Sequence, residues 1–398
     1  MNTTAPGTAE IEIALIHRAC DACGGNDLEK VWFHHSRAAK ASASYIFHNQ
    51  VVICRKCGFA FASPCPAPEA LRRYYADSLA GYKGIGLAYQ PEARLALIKR
   101  YAGPNSIFVE IGGDRTDIFH EKITPFFKRV LNIELSQESV SDYASPGDVP
   151  EALADVLGHY DVLEHVPDLE NFLKACHRIL KNNGIMICEV PNVRLYPRNL
   201  LLMESEHVNH FSSATLEAVA RRHGFRLEEI SHLCSRPYGF VSVFRKTDKK
   251  FLEADRIPND YGDTLACLKG GVAQIEHVIQ HINRLKKKIA ACGKVREKVT
   301  LWGVTDFLRQ LVDNFSLPDS VKIVDSDPRK KAHWRREGLD VYEPKEMIGH
   351  IRESALMVIF APRYKTEIIK WVEEKAGRCF NGSEVDVVGS GIGGESLL

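Results

Sequence analysis

Ile107-Phe108-Val109-Glu110-Ile111-Gly112-Gly113 reads as a buried strand that stops at a glycine turn. Its near-continuous apolar run lacks the alternation of a half-exposed antiparallel strand, so it predicts a parallel sheet covered by helices on both faces. The pattern repeats downstream. Val130-Leu131-Asn132-Ile133-Glu134 is a second strand ending in an acid, and residues 155–163 and 185–191 read as a third and a fourth. Between those two, Leu169, Phe172, Leu173, Cys176, Ile179 and Leu180 recur at helical spacing until Asn183-Gly184 stops them. Residues 213–223 predict a helix closed by Gly224, and 225–230 with 239–244 a closing antiparallel pair. The expected fold is α/β: a doubly wound, Rossmann-like sheet with an antiparallel edge, occupying 70–248.

Beyond this domain, Leu265, Leu268, Val272, Ile275, Val278, Ile282 and Leu285 follow three- and four-residue steps. They predict a long linking helix within 249–292, whose Lys286-Lys287-Lys288 run compensates the dipole at a solvated end. The strand–helix rhythm then restarts at Val299-Thr300-Leu301-Trp302-Gly303, so a smaller Rossmann-like domain is expected over 293–398, with a glycine-rich tail near 389–394. Asp325 ends its second strand as a ribose-binding acid would. Gly303-Val304-Thr305-Asp306, however, lacks the further glycines of a dinucleotide loop, which argues against NAD there.

Upstream, two matched pairs, Cys20-Asp21-Ala22-Cys23 and Cys54-Arg55-Lys56-Cys57, are each followed by a glycine, Gly24 and Gly58. Four thiolates at that spacing close a tetrahedral zinc site with no open position, so a structural Zn2+ held by Cys20, Cys23, Cys54 and Cys57 is expected in a ribbon module over 1–69. The short β-prone runs between the pairs suit its hairpins. Cys65 follows too closely to be a ligand, and Pro64, Pro66 and Pro68 mark the module's end. The other cysteines, Cys176, Cys188, Cys234, Cys267, Cys292 and Cys379, read as reduced core residues.

A chain of 398 residues with 45% hydrophobic content can build two or three cores. Its 52 basic and 51 acidic residues leave a net charge of +1, too little field to gather nucleic acid or an anionic membrane. No apolar run approaches bilayer length, and residues 1–10 lack the order of a secretory signal, so a cytoplasmic location is expected.

Glu110-Ile111-Gly112-Gly113, with Glu134 placed to accept ribose hydroxyls, leads into Tyr160-Asp161-Val162-Leu163-Glu164-His165-Val166-Pro167-Asp168, Glu189-Val190-Pro191-Asn192 and Glu206-His207-Val208-Asn209-His210-Phe211-Ser212. This segment, most strongly residues 155–225, resembles class I S-adenosylmethionine (SAM)-dependent methyltransferases. With the cysteine module and terminal domain, the whole chain is similar to three-domain C-methyltransferases of nucleotide-linked keto-sugars. The resemblance implies SAM as cofactor, held by Glu110, Gly112, Gly113, Glu134 and Asp161. It also implies a nucleotide-activated sugar as substrate, with the terminal domain forming part of its wall. Glu206, His207 and, by neighbourhood, Tyr82 are implied at the reacting carbon, where a neutral imidazole can remove a proton beside a ketone and leave an enolate for methylation. His165 reads instead as a helix-start or core residue.

Three departures accompany the match. Asp114 stands where relatives carry a further glycine, only about 20 residues separate Glu134 from Asp155, and Glu204 replaces a tyrosine. They support a rival reading, a pseudo-methyltransferase that assembles, binds or reacts without SAM. A zinc-ribbon nucleic-acid binder is the other rival, and the near-zero charge argues against it.

Overall fold

The computed structural model describes residues 9–39, 43–77, 90–136, 139–198, 203–232, 236, 238–248, 259–312, 315–328, 330–331, 334 and 339–388. They divide into two compact units, one within Thr8–Val272 and one within Ala273–Gly394. Tyr82, Cys234 and the glycine-rich end lie outside the described residues.

The first unit is organised by a six-stranded sheet in the order Arg129–Ile133, Ile107–Ile111, Ala154–Tyr160, Leu180–Pro191, Gly239–Lys246, Phe225–Ser231. The first four strands are parallel and the last two antiparallel. Phe108, Val109, Val156, Leu157, Ile185 and Ile187 are all buried, as continuous apolar strands covered on both faces require. Helix Leu169–Ile179 buries Leu169, Leu173, Cys176 and Ile179, and the Asp168 carboxylate caps its first turn at the Asn171 amide. Helix Ser213–Arg222 starts at a capping box formed by Ser212 and Thr215.

The short interval after Glu134 has a structural outcome. Among the described residues it contains no helix, only a 3-10 turn at Pro146–Asp148, and a would-be third strand shrinks to one parallel bridge between Ile133 and Tyr143. Asp142 holds this bridge by accepting from the Asn132 amide at 2.9 Å and pairing with Arg115.

The cysteine module lies in the same unit. Strands Leu28–Phe33, Gln50–Cys54 and Ala60–Ala62 form an antiparallel sheet, and Asn209–His210 adds a fourth strand from the chain beyond residue 70. Phe59 stacks on Phe61 and on Phe211 at 5.4 and 5.3 Å between ring centroids, inside one hydrophobic core shared with Leu163, Leu173 and Val190.

The linking helix runs Tyr261–Lys294, starting in the first unit and ending in the second. In the second unit five parallel strands follow the order Val341–Tyr342, Val321–Val324, Lys298–Trp302, Ser354–Ile359, Val385–Val387. Asp325 there accepts from the amides of Val304 and Asp327 and faces Lys330, so its carboxylate serves its own loop. Of the cysteines read as core, Cys176 and Cys188 are fully buried, but Cys267 and Cys292 are half-buried and Cys379 is exposed. Apolar neighbours in sequence did not translate into burial at those three. No helix among the described residues is long and apolar enough to cross a membrane.

Candidate functional site

The four cysteine sulfurs converge. Cys20 Sγ lies 3.4 Å from Cys57 Sγ and Cys23 Sγ 3.5 Å from Cys54 Sγ, with all four within 4.8 Å of one another. A disulfide would need about 2.05 Å. Thiolates at about 2.3 Å from a tetrahedral zinc would be separated by about 3.8 Å, so the set fits that ion. The amides of Gly24 and Gly58 close the two knuckles onto the carbonyls of Cys20 and Cys54 at 2.6 and 2.8 Å. Gly58 adopts φ +79°, and a Cβ there would fall 2.3 Å from the backbone carbon of Asp260, so only glycine fits. Cys65 is not part of the cluster.

A second constellation sits at the carboxyl ends of the central strands, where open α/β sheets bind ligands. Gly112 turns at φ +82°, and a Cβ on it would meet Val162 at 2.6 Å. The Glu110 carboxyl lies under Gly113, where an added Cβ would meet it at 2.5 Å, and accepts from the Asn132 amide at 3.3 Å. Burial pushes the Glu110 carboxyl up to about 7. Glu134 is half-buried just beyond the next strand and accepts from the Ser136 amide at 3.0 Å. Asp114 accepts from Thr116 and, at 3.2 Å, from the Val140 amide, so its side chain is engaged by the loop itself. Asp161 pairs with Arg236 at 2.6 Å, yet burial raises its carboxyl to about 6.

Sequence reasoning missed the arginine behind these acids. Arg94, on helix Pro91–Lys99, is 3% exposed, pairs with fully buried Glu189 and lies 3.6 Å over the Tyr160 ring. A glycine turn that permits close approach, with carboxylates on adjacent strand ends, fits a polyhydroxylated, cationic cofactor such as SAM. Glu134 would take the ribose, and Glu110 and Asp161 would lie near its cationic end.

A third group gathers around His207, which is 7% exposed. Its ring contacts His165 edge-on, with centroids 4.7 Å apart. His165 Nδ1 lies 2.9 Å from the Tyr75 hydroxyl and 3.1 Å from the Glu206 carbonyl, while its Nε2 lies 3.8 Å from a Glu164 oxygen. Glu206 accepts hydroxyl bonds from Tyr74 and, at 3.4 Å, from Tyr75, both on helix Pro68–Ala76. Glu164 is 1% exposed, and atoms of Glu164, His165 and His207 all lie within 4.8 Å of one another. Burial holds its carboxyl well above the ordinary range, and burial likewise raises both tyrosine hydroxyls.

Glu206 and His207 therefore sit in one cluster with Tyr74, Tyr75, Glu164 and His165. The Arg-Arg-Tyr-Tyr end of the first helix was the available signal for the tyrosines, and Glu164-His165 that for the second acid and imidazole. Such a group can move a proton between a neutral imidazole and a substrate carbon or hydroxyl.

Residues 87–230 match a family model described as a methyltransferase domain. A probable S-adenosylmethionine-dependent methyltransferase of Mycolicibacterium smegmatis is 27% identical over 82 residues, which is 20% of this chain and 32% of that protein. The chain thus spans about a third of the length of the curated relative it matches. Among solved structures, 1,6-didemethyltoxoflavin-N1-methyltransferase of Burkholderia thailandensis has a TM-score of 0.37 at 18% identity, covering 48% of this chain and 96% of that one. A SAM-dependent methyltransferase of Mesorhizobium loti has a TM-score of 0.34 at 14% identity, with coverages of 39% and 98%. Residues 87–230 of this chain are thus similar to a methyltransferase domain.

Proposed function

We propose that the protein is a SAM-dependent methyltransferase acting on a carbon beside a ketone in a small molecule, with a nucleotide-linked keto-sugar as the leading substrate class. A structural Zn2+ in the four-cysteine cluster belongs to the same reading, as do a cytoplasmic setting and a small-molecule rather than nucleic-acid or membrane partner. The observation that carries it is the cluster of two imidazoles, two carboxyls and two phenols around His207, in the same unit as the methyltransferase domain.

SAM, when bound, supplies an electrophilic methyl group. The protein's own residues do the rest. His207, largely shielded from water, takes the proton from the substrate carbon at an imidazole nitrogen, leaving an enolate whose carbon accepts the methyl. His165, held at Nδ1 by Tyr75 and the Glu206 carbonyl, packs edge-on against His207 and limits its ring orientation. Glu164, whose carboxyl burial holds well above its ordinary range, lies beside His165. The test is an assay of methyl-labelled SAM with a panel of nucleotide-linked keto-sugars. Label appearing on a sugar carbon is expected, and label only on oxygen or nitrogen of any acceptor contradicts the carbon assignment.

One feature favours a second reading, a related fold that works without SAM. The strand expected between Glu134 and Asp155 is reduced to a single bridge, and the element that usually contributes an adenine contact is missing from the described residues. Absence of SAM binding by the folded protein would favour it.

A further inference from the structure

We infer that Arg18 is a positioning residue: it ties the zinc knuckle to both segments that carry the imidazoles, so that metal in the cysteine cluster fixes the His207 turn independently of the cofactor end of the sheet. This rests on the reading of His207 as the reacting centre.

Arg18 stands two residues before Cys20, and its side chain is 9% exposed. Guanidinium offers five N–H donors, and here every one has a partner. Nε donates to the Ala62 carbonyl at 3.1 Å; Nη1 to the Pro167 carbonyl at 3.0 Å and to Asp21 at 3.3 Å; Nη2 to the Val208 carbonyl at 2.6 Å and to Asn209 Oδ1 at 2.5 Å. Its plane also lies 4.8 Å from the centre of the Phe61 ring. Asn209 passes the connection on, since its amide nitrogen donates to the carbonyls of Leu163 and Val166 at 2.8 and 2.7 Å. The two backbone segments flanking Glu164-His165 and Glu206-His207 are therefore joined through one cation.

The cysteine module grips the same turn along its length. Ser205 is held by the Ser36 hydroxyl at 2.6 Å and the Asn49 amide at 2.9 Å, and the Ala62 amide donates to the Val208 carbonyl at 2.9 Å. Buried His34 of the module lies close enough that the charge of His207 adds to burial in lowering its imidazole, to about 4. The cofactor end is anchored differently. Gly112 donates to Ile133, Glu134 accepts from Ser136, and Asp161 is held by Glu189 and Arg236. Loss of the knuckle should thus reach the imidazoles and leave the glycine turn in place. Charge-assisted bonds of this kind are among the stronger ones available, and a lysine cannot reproduce the planar fork.

The experiment compares full-length wild type, Arg18→Lys, Arg18→Gln and chelator-treated wild type by amide hydrogen exchange, alongside side-chain NMR of His165 and His207 and calorimetry with SAM. In Arg18→Lys, exchange over 204–210 should rise by about tenfold or more while 108–113 stays protected. The imidazole signals of both histidines should shift, and SAM affinity should stay within about threefold of wild type. Chelation should give the same pattern in wild type and add little in the variants. Unchanged exchange over 204–210 in Arg18→Lys overturns the inference, as does equal loosening of 108–113. If the variants do not fold, chelated wild type decides alone: loosened amides at 54–59 with 204–210 still protected would overturn it. Wild type that fails to bind SAM counts against the methyltransferase reading, while the exchange pattern still decides the role of Arg18.

Discussion

Asn209 pairs antiparallel with Phe61, so the turn carrying Glu206 and His207 continues into a strand of the sheet that bears the second cysteine knuckle. Side chains alternate faces along a strand, so a one-residue slip at this pair would exchange Asn209 and His210. Buried His210, bonded to the Tyr196 hydroxyl at 2.7 Å, and Asn209, bonded to Arg18, hold the register from opposite sides.

Cys54→Ser should remove metal binding and lower the melting temperature steeply. A structural zinc contributes folding free energy, about 10–16 kcal/mol in isolated fingers. Metal analysis beside a thermal melt checks this; a variant that melts like wild type while containing no zinc contradicts the structural assignment.

Gly58→Ala should destabilise by about 2–4 kcal/mol, combining a left-handed backbone with overlap of its Cβ on Asp260. Asp260 cannot easily withdraw, because Arg194 and the Ser212 hydroxyl hold its carboxylate. Urea unfolding provides the measurement, and a change below about 0.5 kcal/mol would mean that the knuckle and the start of the long helix do not pack as described.

The pH dependence follows from Glu110. Burial raises its folded value from the ordinary 4.5 to about 7, so between those values the folded state binds more protons than the unfolded one. Its contribution to stability is present below about 4.5 and is lost as pH rises through about 7. Glu110→Gln should flatten the fall in unfolding free energy between pH 5 and 8 by an amount on the order of 1–3 kcal/mol. Denaturation series at several pH values test this, and an unchanged slope contradicts a buried, protonated Glu110.

The doubly wound sheet was legible because its strands are continuous apolar runs ending in glycine or an acid, and the convergence of the four cysteines because their matched spacing leaves few alternatives. The long helix was legible from its three- and four-residue steps. The cluster around His207 was only half legible. Glu206 and His207 stand out as a pair, but Tyr74, Tyr75, Glu164 and His165 come from two other segments, and nothing local in the sequence states that a helix beginning at Pro68 delivers its tyrosines to Glu206. Arg18 and Arg94 were illegible for the same reason. Arginines are usually surface residues, and the partners that bury these two lie 190 and 95 positions away.

His207→Ala should reduce turnover by about 10²–10⁴-fold, the range for a general base, while leaving SAM affinity within a few-fold. Tyr74→Phe removes a donor from Glu206 and should cost about 1–3 kcal/mol of stability with a smaller loss of rate. Steady-state kinetics on the methylated acceptor compare the two; wild-type turnover in His207→Ala removes the assigned base.

Calorimetric titration of the zinc-loaded protein with SAM and with S-adenosylhomocysteine tests the central claim most directly. Saturable binding of both at micromolar affinity, weakened by substitution of Glu134, is the predicted result. No detectable heat or binding with a folded sample would contradict the methyltransferase assignment and leave the SAM-independent reading in its place.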